Sequence, residues 1–162
     1  MTKITTIVFD LDGTLLNTLD DLADSTNYAL TQFGFPTRSV EEVRRFVGNG
    51  VRKLMERAVP VGTDSERLEA VQVAVGERAG VRRKPAPDMV EIALQELGVE
   101  KDEAVYVGDS DVDVATAAHA GLSCISVLWG FRDRDFLERN GAVRFADSPA
   151  DILGLLESIS RL

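Results

Sequence analysis

Apolar and polar positions follow two different rhythms along this chain. Ile4 to Phe9 is an apolar, β-branched run that predicts a buried strand, and it runs into the polar turn Asp10-Leu11-Asp12-Gly13-Thr14. The period then becomes helical. Leu19, Leu22, Ala23, Thr26, Leu30 and Phe33 share one face, with Thr18 and Asp21 spaced as a helix start and Gly34 and Pro36 as its stop. Ser39 with Glu42 forms a second capping box, opening a helix that carries Val43 and Phe46. Gly48-Asn49-Gly50 interrupts, a third helix is expected from Val51 to about Val59, and Thr63 with Glu66 reads as another capping box. Residues 18 to about 70 are therefore expected to be helical only, in short pieces.

Strand signals return after that stretch. Val71 to Val75 reads as a strand, and Gly76 to Pro87 as a polar, basic loop. Pro87 and Asp88 open a helix through Leu97, closed by Gly98. Ala104 to Val107 predicts a strand ending in Gly108-Asp109-Ser110, and Val112 to Ala120 a small-residue helix closed by Gly121. Further strands are expected at Ser123–Leu128 and Val143–Phe145, with helices from about Asp133 to Arg139 and after Ser148-Pro149. Strands alternating with helices argue for an α/β fold with a parallel sheet. The expected division is a core of 1–16 and 71–162, with 17–70 inserted after the first strand as a helical cap over that strand's carboxyl end. One junction breaks the pattern. Around Leu68 to Gln72 helix passes into strand with no Gly, Pro or Asn between them.

Composition narrows the function. At 162 residues, 44% apolar and 28% charged, the chain fits one globular core with a small appendage. A net charge of −9 disfavours nucleic acid as a partner. An anionic small molecule would then need a local cation or metal to hold it. The single cysteine, Cys124, fits a reducing compartment, and the apolar runs are strand-sized, far short of the ~20 residues of a membrane span. With no secretory pattern at the N-terminus, a cytoplasmic protein without membrane attachment is expected, as a monomer or homodimer.

Chemistry gathers where parallel strands end, because open α/β sheets bind ligands at their carboxyl edges. Asp10 and Asp12 follow the first strand, while Asp109, Asp111 and Asp113 follow the strand at 104–107. Lys84 lies in the loop before the helix at 88. Carboxylates brought together repel, and a hard divalent cation is their natural neutraliser, Mg²⁺ above all where a phosphate supplies further oxygens. A lysine beside them would balance charge on a phosphoryl group. Read singly, Asp10 and Asp12 are also ordinary turn residues. It is Gly-Asp-Ser-x-x-Asp after a later strand, with a lysine between, that makes a site the stronger reading. His119 reads as a helix-surface or packing residue and Cys124 as a small buried apolar one. Trp129, at a strand end, either packs beneath the cap or closes the core.

FDLDGTLLNT, RRKPAPD and VYVGDSDVD resemble, in order, the first, third and fourth motifs of the haloacid dehalogenase-like (HAD) superfamily. SVEEVRRFVGNGVRKLM, VLWGFRDRDFLERNGA and DSPADIL extend the likeness over nearly the whole chain, most closely to its phosphoglycolate phosphatase group. The resemblance implies a three-layer, Rossmann-like parallel sheet and a Mg²⁺-dependent phosphatase acting on a small phosphorylated metabolite. It implies Asp10 as nucleophile, Asp12 as general acid and base, and Lys84 as stabiliser of the phosphoryl charge. Asp10, Asp109 and the backbone carbonyl of Asp12 would hold the metal, supported by Gly13, Thr14 and Asp113, and Asn49 would contact substrate from the cap. The second aspartate argues against carbon–halogen chemistry. A response-regulator receiver is disfavoured because the DxDGT turn follows the first strand.

The resemblance also exposes a departure. The family's second motif, a Ser or Thr at the end of a strand beside the first, has no counterpart, because the cap joins VQVAVGER directly. One to two strand–helix units of ~30 residues are missing there: either the protein lacks them, or a stretch of the natural chain is absent from this sequence, which the missing helix stop favours. Two function classes follow: a phosphatase of the phosphoglycolate phosphatase kind, or a non-catalytic module that binds metal or phosphate without turnover.

Overall fold

The computed structural model describes residues 3–48, 50–68, 82 and 84–160. Among these the elements run β1 (Thr6–Phe9), α1 (Leu19–Gln32), α2 (Val40–Phe46), α3 (Gly50–Ala58), α4 (Asp88–Leu97), β2 (Ala104–Gly108), α5 (Asp111–Ala120), β3 (Ser123–Val127), α6 (Arg134–Arg139), β4 (Phe145–Ala146) and α7 (Pro149–Ile159). They form two compact units. One takes in the described residues up to Asn17 and those from 82 onward, the other the described residues from Thr18 to 68.

The first unit is built on a four-stranded parallel sheet in the order β1-β2-β3-β4. Strand β2 is buried along its whole length, as a central parallel strand covered on both faces should be. Its side chains alternate between two cores. Ala104 and Tyr106 pack with Val90 and Leu94 of α4 and with Ala117 and Ala120 of α5. Val105 and Val107 pack with Ile125, Val127, Ala146 and Ile152 of α7. Burying each such Val, Ile or Leu contributes about 1.5–3 kcal/mol, so helices on both faces of the sheet are what stabilise it. This is the expected three-layer α/β arrangement. The register sets Phe9 beside Val107 and Gly108 beside Ser126, so β1, β2 and β3 end at one edge.

The second unit packs α1, α2 and α3 around Ala23, Ala29, Val43, Leu54 and Met55, with Leu30, Ala58 and Val59 as a second cluster. Ser39 and Glu42 form a reciprocal capping box. Thr18 makes no side-chain cap bond. At the third expected start Asp64 does the capping, accepting from the Arg67 amide at 2.8 Å, while the Thr63 hydroxyl donates to the Pro60 carbonyl. Its carboxylate is the stronger acceptor for an amide.

Two sequence expectations shift in the sheet. The last strand is Phe145–Ala146 rather than 143–145, because only those two residues pair with β3 and Val143 is left exposed. Strand β3 ends at Val127. The strand expected at 71–75 and the junction before it lie outside the described residues.

Candidate active site

The turn after β1 is the first component. Asp10 continues the sheet pairing, its amide donating to the Val107 carbonyl at 2.8 Å. The chain then folds on itself, with the Leu15 and Leu16 amides donating to the Leu11 carbonyl at 3.0 Å and the Gly13 amide to the Leu16 carbonyl at 2.8 Å. Gly13 has φ +84°, a left-handed conformation that favours glycine. A Cβ there would also lie 2.6 Å from Oδ2 of Asp109. The turn therefore approaches the second strand's carboxylate as closely as a glycine allows.

The second component starts helix α5. Ser110 is its N-cap and Asp113 its N3 residue, closing a capping box. Oδ2 of Asp113 accepts from the Ser110 amide at 3.1 Å and from its hydroxyl at 2.6 Å. The opposite oxygen, Oδ1, accepts from Lys84 Nζ at 2.7 Å and from the Tyr106 hydroxyl at 3.2 Å. Lys84 also donates to Oδ1 of Asp10 at 2.5 Å and stands over the Tyr106 ring, 5.3 Å from its centre. Gly108 leaves room for this, since a Cβ there would lie 2.4 Å from Cβ of Asp113.

Carboxylate oxygens of Asp10, Asp109 and Asp113 lie within 4.8 Å of one another. Among the described residues three acids face one lysine, an excess of negative charge in a largely desolvated place. Asp109 is 1% exposed. Burial pushes its carboxyl up to about 6, assisted by Asp113 and Asp10, although the Phe131 amide donating at 2.6 Å works the other way. Burial and Asp113 also raise Asp10, against the pull of Lys84. For Lys84 burial favours the neutral amine, but Asp113 and Asp10 outweigh it and hold the ammonium charged well above its ordinary range. Burial, then Asp113, raises the Tyr106 hydroxyl, which stays protonated and donates. Such a cluster fits a hard divalent cation, which would relieve the repulsion.

Of the residues singled out in the sequence, Asp10, Lys84, Asp109 and Asp113 meet here, with Gly13 and Thr14 buried behind them. Asp12 is exposed on the turn and is not one of the three clustered acids. Asn49 lies outside the described residues. The geometry adds Tyr106, the Phe131 amide and Gly130, where a Cβ would lie 2.2 Å from Cβ of Asp109, and it gives Gly108 and Ser110 of the Gly-Asp-Ser signature their parts. A tyrosine in an apolar strand signals a polar tip that must find a partner, whereas a backbone amide as donor leaves no trace in the sequence. His119 is exposed, and its Nδ1 lies 2.7 Å from the Pro85 carbonyl, on the loop that carries Lys84. Burial pushes the Cys124 thiol up to about 12, so it stays an inert thiol.

Comparison with known proteins points the same way. A haloacid dehalogenase-like hydrolase family model matches residues 7–71, and a HAD-hydrolase-like model matches 81–155. The phosphoglycolate phosphatase of Chromobacterium violaceum is 24% identical, the match taking in 96% of this chain and 97% of that protein. Phosphoglycolate phosphatase 1 of Pseudomonas aeruginosa is 25% identical over 91% of this chain and 78% of its own length. Among solved structures, a protein provisionally assigned as a phosphoglycolate phosphatase from Lactobacillus delbrueckii subsp. bulgaricus superposes with a TM-score of 0.82 at 26% identity, over 98% of this chain and 99% of that one. With family matches on both sides of the junction, a parallel α/β sheet and an acidic cluster at its carboxyl edge, the chain belongs to the haloacid dehalogenase-like hydrolases and resembles their phosphoglycolate phosphatases.

Proposed function

We propose that this protein hydrolyses a small phosphomonoester, of the phosphoglycolate kind, through a phosphoryl group carried on Asp10. The observation that carries this reading is the bridge of Lys84 between Asp10 and Asp113. An ammonium that balances the nucleophile's charge in the resting site is placed to follow that charge onto the phosphoryl oxygens. Asp10 attacks phosphorus as its carboxylate, and the bond to the leaving oxygen breaks. Asp12, on the turn two residues on, gives that oxygen a proton. The resulting carboxylate then takes a proton from water, which attacks the aspartyl-phosphate at phosphorus and returns Asp10 with inorganic phosphate. Asp113 keeps Lys84 in place, and its own orientation is fixed by Ser110 and Tyr106.

The residues present fit Mg²⁺. Asp10 and Asp109 supply hard oxygens, the Asp12 carbonyl is the expected third protein ligand, and Mg²⁺ takes its remaining positions from water and phosphate. When bound it would neutralise phosphoryl charge. Asn49 is proposed as a substrate contact on the family pattern alone.

The experiment is turnover of p-nitrophenyl phosphate and of phosphoglycolate with and without Mg²⁺. Hydrolysis should require the metal, and Asp10→Asn should abolish it, a loss of at least 10³-fold, while the thermal unfolding transition persists. Undiminished turnover in Asp10→Asn would refute the mechanism.

A second reading, metal or phosphate binding without turnover, is favoured by one observation. The match to the Chromobacterium protein spans 219 aligned positions but takes in 96% of 162 residues, about 156, so about 63 positions of the relative face nothing here. The two family matches part between 71 and 81, where the second motif is missing. Mg²⁺ binding with no hydrolysis of either ester would establish this reading.

A further inference from the structure

We infer that Trp129, Gly130 and Phe131 form a clamp that fixes Asp109 against the turn after β1 and thereby sets the affinity of the carboxylate cluster for a divalent cation. This rests on the cation-binding part of the reading above and not on turnover.

The three residues follow β3 and hold the other two strand ends together. The Trp129 indole N–H donates to the Thr14 carbonyl at 2.9 Å, across 115 positions of sequence. The Phe131 amide donates to Oδ2 of Asp109 at 2.6 Å. Between them Gly130 lies so close to Asp109 that a Cβ would fall 2.2 Å from its Cβ and 2.4 Å from Oδ2. The Phe131 ring closes the other side, 3.0 Å from where a Cβ on Gly13 would sit. Thr14, whose backbone Trp129 holds, reaches Oδ1 of Asp109 with its hydroxyl at 3.5 Å, the outer limit of a hydrogen bond.

Asp109 is thus oriented by groups from two other strand ends. Its buried carboxylate has an amide on one oxygen and, on the other, a hydroxyl held at the limit of reach. Without the indole N–H the Thr14 backbone loses its anchor, and that long contact is the first to go. A ligand free to rotate must be ordered when the cation binds. Partners that orient a metal ligand are typically worth 10–100-fold in metal affinity. If Trp129 only closed the core, its indole N–H would be dispensable. The residue is 38% exposed, so its packing is partial while its N–H is engaged.

Trp129→Phe keeps a ring and removes the donor; Gly130→Ala adds the carbon that has no room. Mg²⁺ affinity of the full chain is read by isothermal titration and by the rise in Tm with Mg²⁺. KM and kcat for p-nitrophenyl phosphate at saturating Mg²⁺ are measured alongside. As the chain's sole tryptophan, Trp129 should also report Mg²⁺ binding by a change in its emission in the unmodified protein. Trp129→Phe should raise the half-saturating Mg²⁺ concentration about 10-fold and Gly130→Ala up to about 100-fold, while KM at saturating Mg²⁺ moves less than about twofold. A purely structural role would lower Tm with the half-saturation unchanged, and that result overturns the inference. If Gly130→Ala does not fold, Trp129→Phe decides alone. Failure of the unmodified chain to bind Mg²⁺ would also overturn it. Mg²⁺ binding without turnover would refute hydrolysis but leave the clamp to be decided by the two affinities.

Discussion

Asp109 combines near-complete burial with two acidic neighbours, and this gives the metal-free protein a specific pH dependence. Its carboxyl is raised from 3.8 to about 6 in the folded state. Between those values the folded chain holds a proton that the unfolded chain has lost. The contribution is therefore favourable at low pH and disappears as pH rises through about 6. In the presence of a chelator, Asp109→Asn should gain stability relative to the unmodified protein between pH 4.5 and 7.5, by on the order of 2 kcal/mol. Denaturant unfolding of both proteins at the two pH values measures this, and parallel behaviour would count against it. The sequence marks Asp109 through its Gly-Asp-Ser setting after a strand. It could not mark Phe131, because an amide donor has no residue type, nor the burial that shifts the titration.

At the scale of elements, one capping box serves both fold and site. Asp113 starts α5 through Ser110 with one oxygen and holds Lys84 with the other. Ser110→Ala should destabilise the protein by about 1 kcal/mol, the ordinary cost of a lost cap. It should also lower turnover, because Asp113 loses a 2.6 Å partner that fixes its orientation. Chemical denaturation and a kcat comparison at saturating Mg²⁺ separate the two effects, and a stability loss with kcat unchanged would limit Ser110 to the cap. Some helix ends were legible from local chemistry, whereas the starts read at Thr18 and Thr63 were not capped by those side chains. Gly98 and Gly121 close α4 and α5 in the left-handed conformation, as their place after apolar-periodic runs implied. The short last strand was less legible, since pairing with β3 selects Phe145 and Ala146 over the equally apolar Val143.

Across the whole molecule the decisive feature is what the chain skips. The second motif supplies a hydroxyl and backbone donors to the phosphoryl oxygens in this family, and about 63 positions of the Chromobacterium relative have no counterpart here, 96% of 162 residues being set against 219 positions. Loss of one such donor typically costs 10²–10³-fold in rate. Assayed side by side on phosphoglycolate with Mg²⁺, this chain should turn over at least about 10²-fold more slowly than the Chromobacterium enzyme. Equal rates would mean that another group has taken over the phosphoryl cradle.

By itself the sequence determined the parallel α/β class, the order of the strands and helices among the described residues, and the residue types at the strand ends. Those properties follow from local periodicity and turn chemistry, which are written in neighbouring residues. Only the tertiary structure decided that Lys84 spans Asp10 and Asp113, that Tyr106 turns its hydroxyl into the same cluster, and that the segment after β3 closes around Asp109. Each is a meeting of groups far apart in the chain, brought within reach by strand register and by glycines at 13, 108 and 130 that leave space for carboxylates. Spacing along one sequence carries no record of such distances, because they are set by how the layers pack.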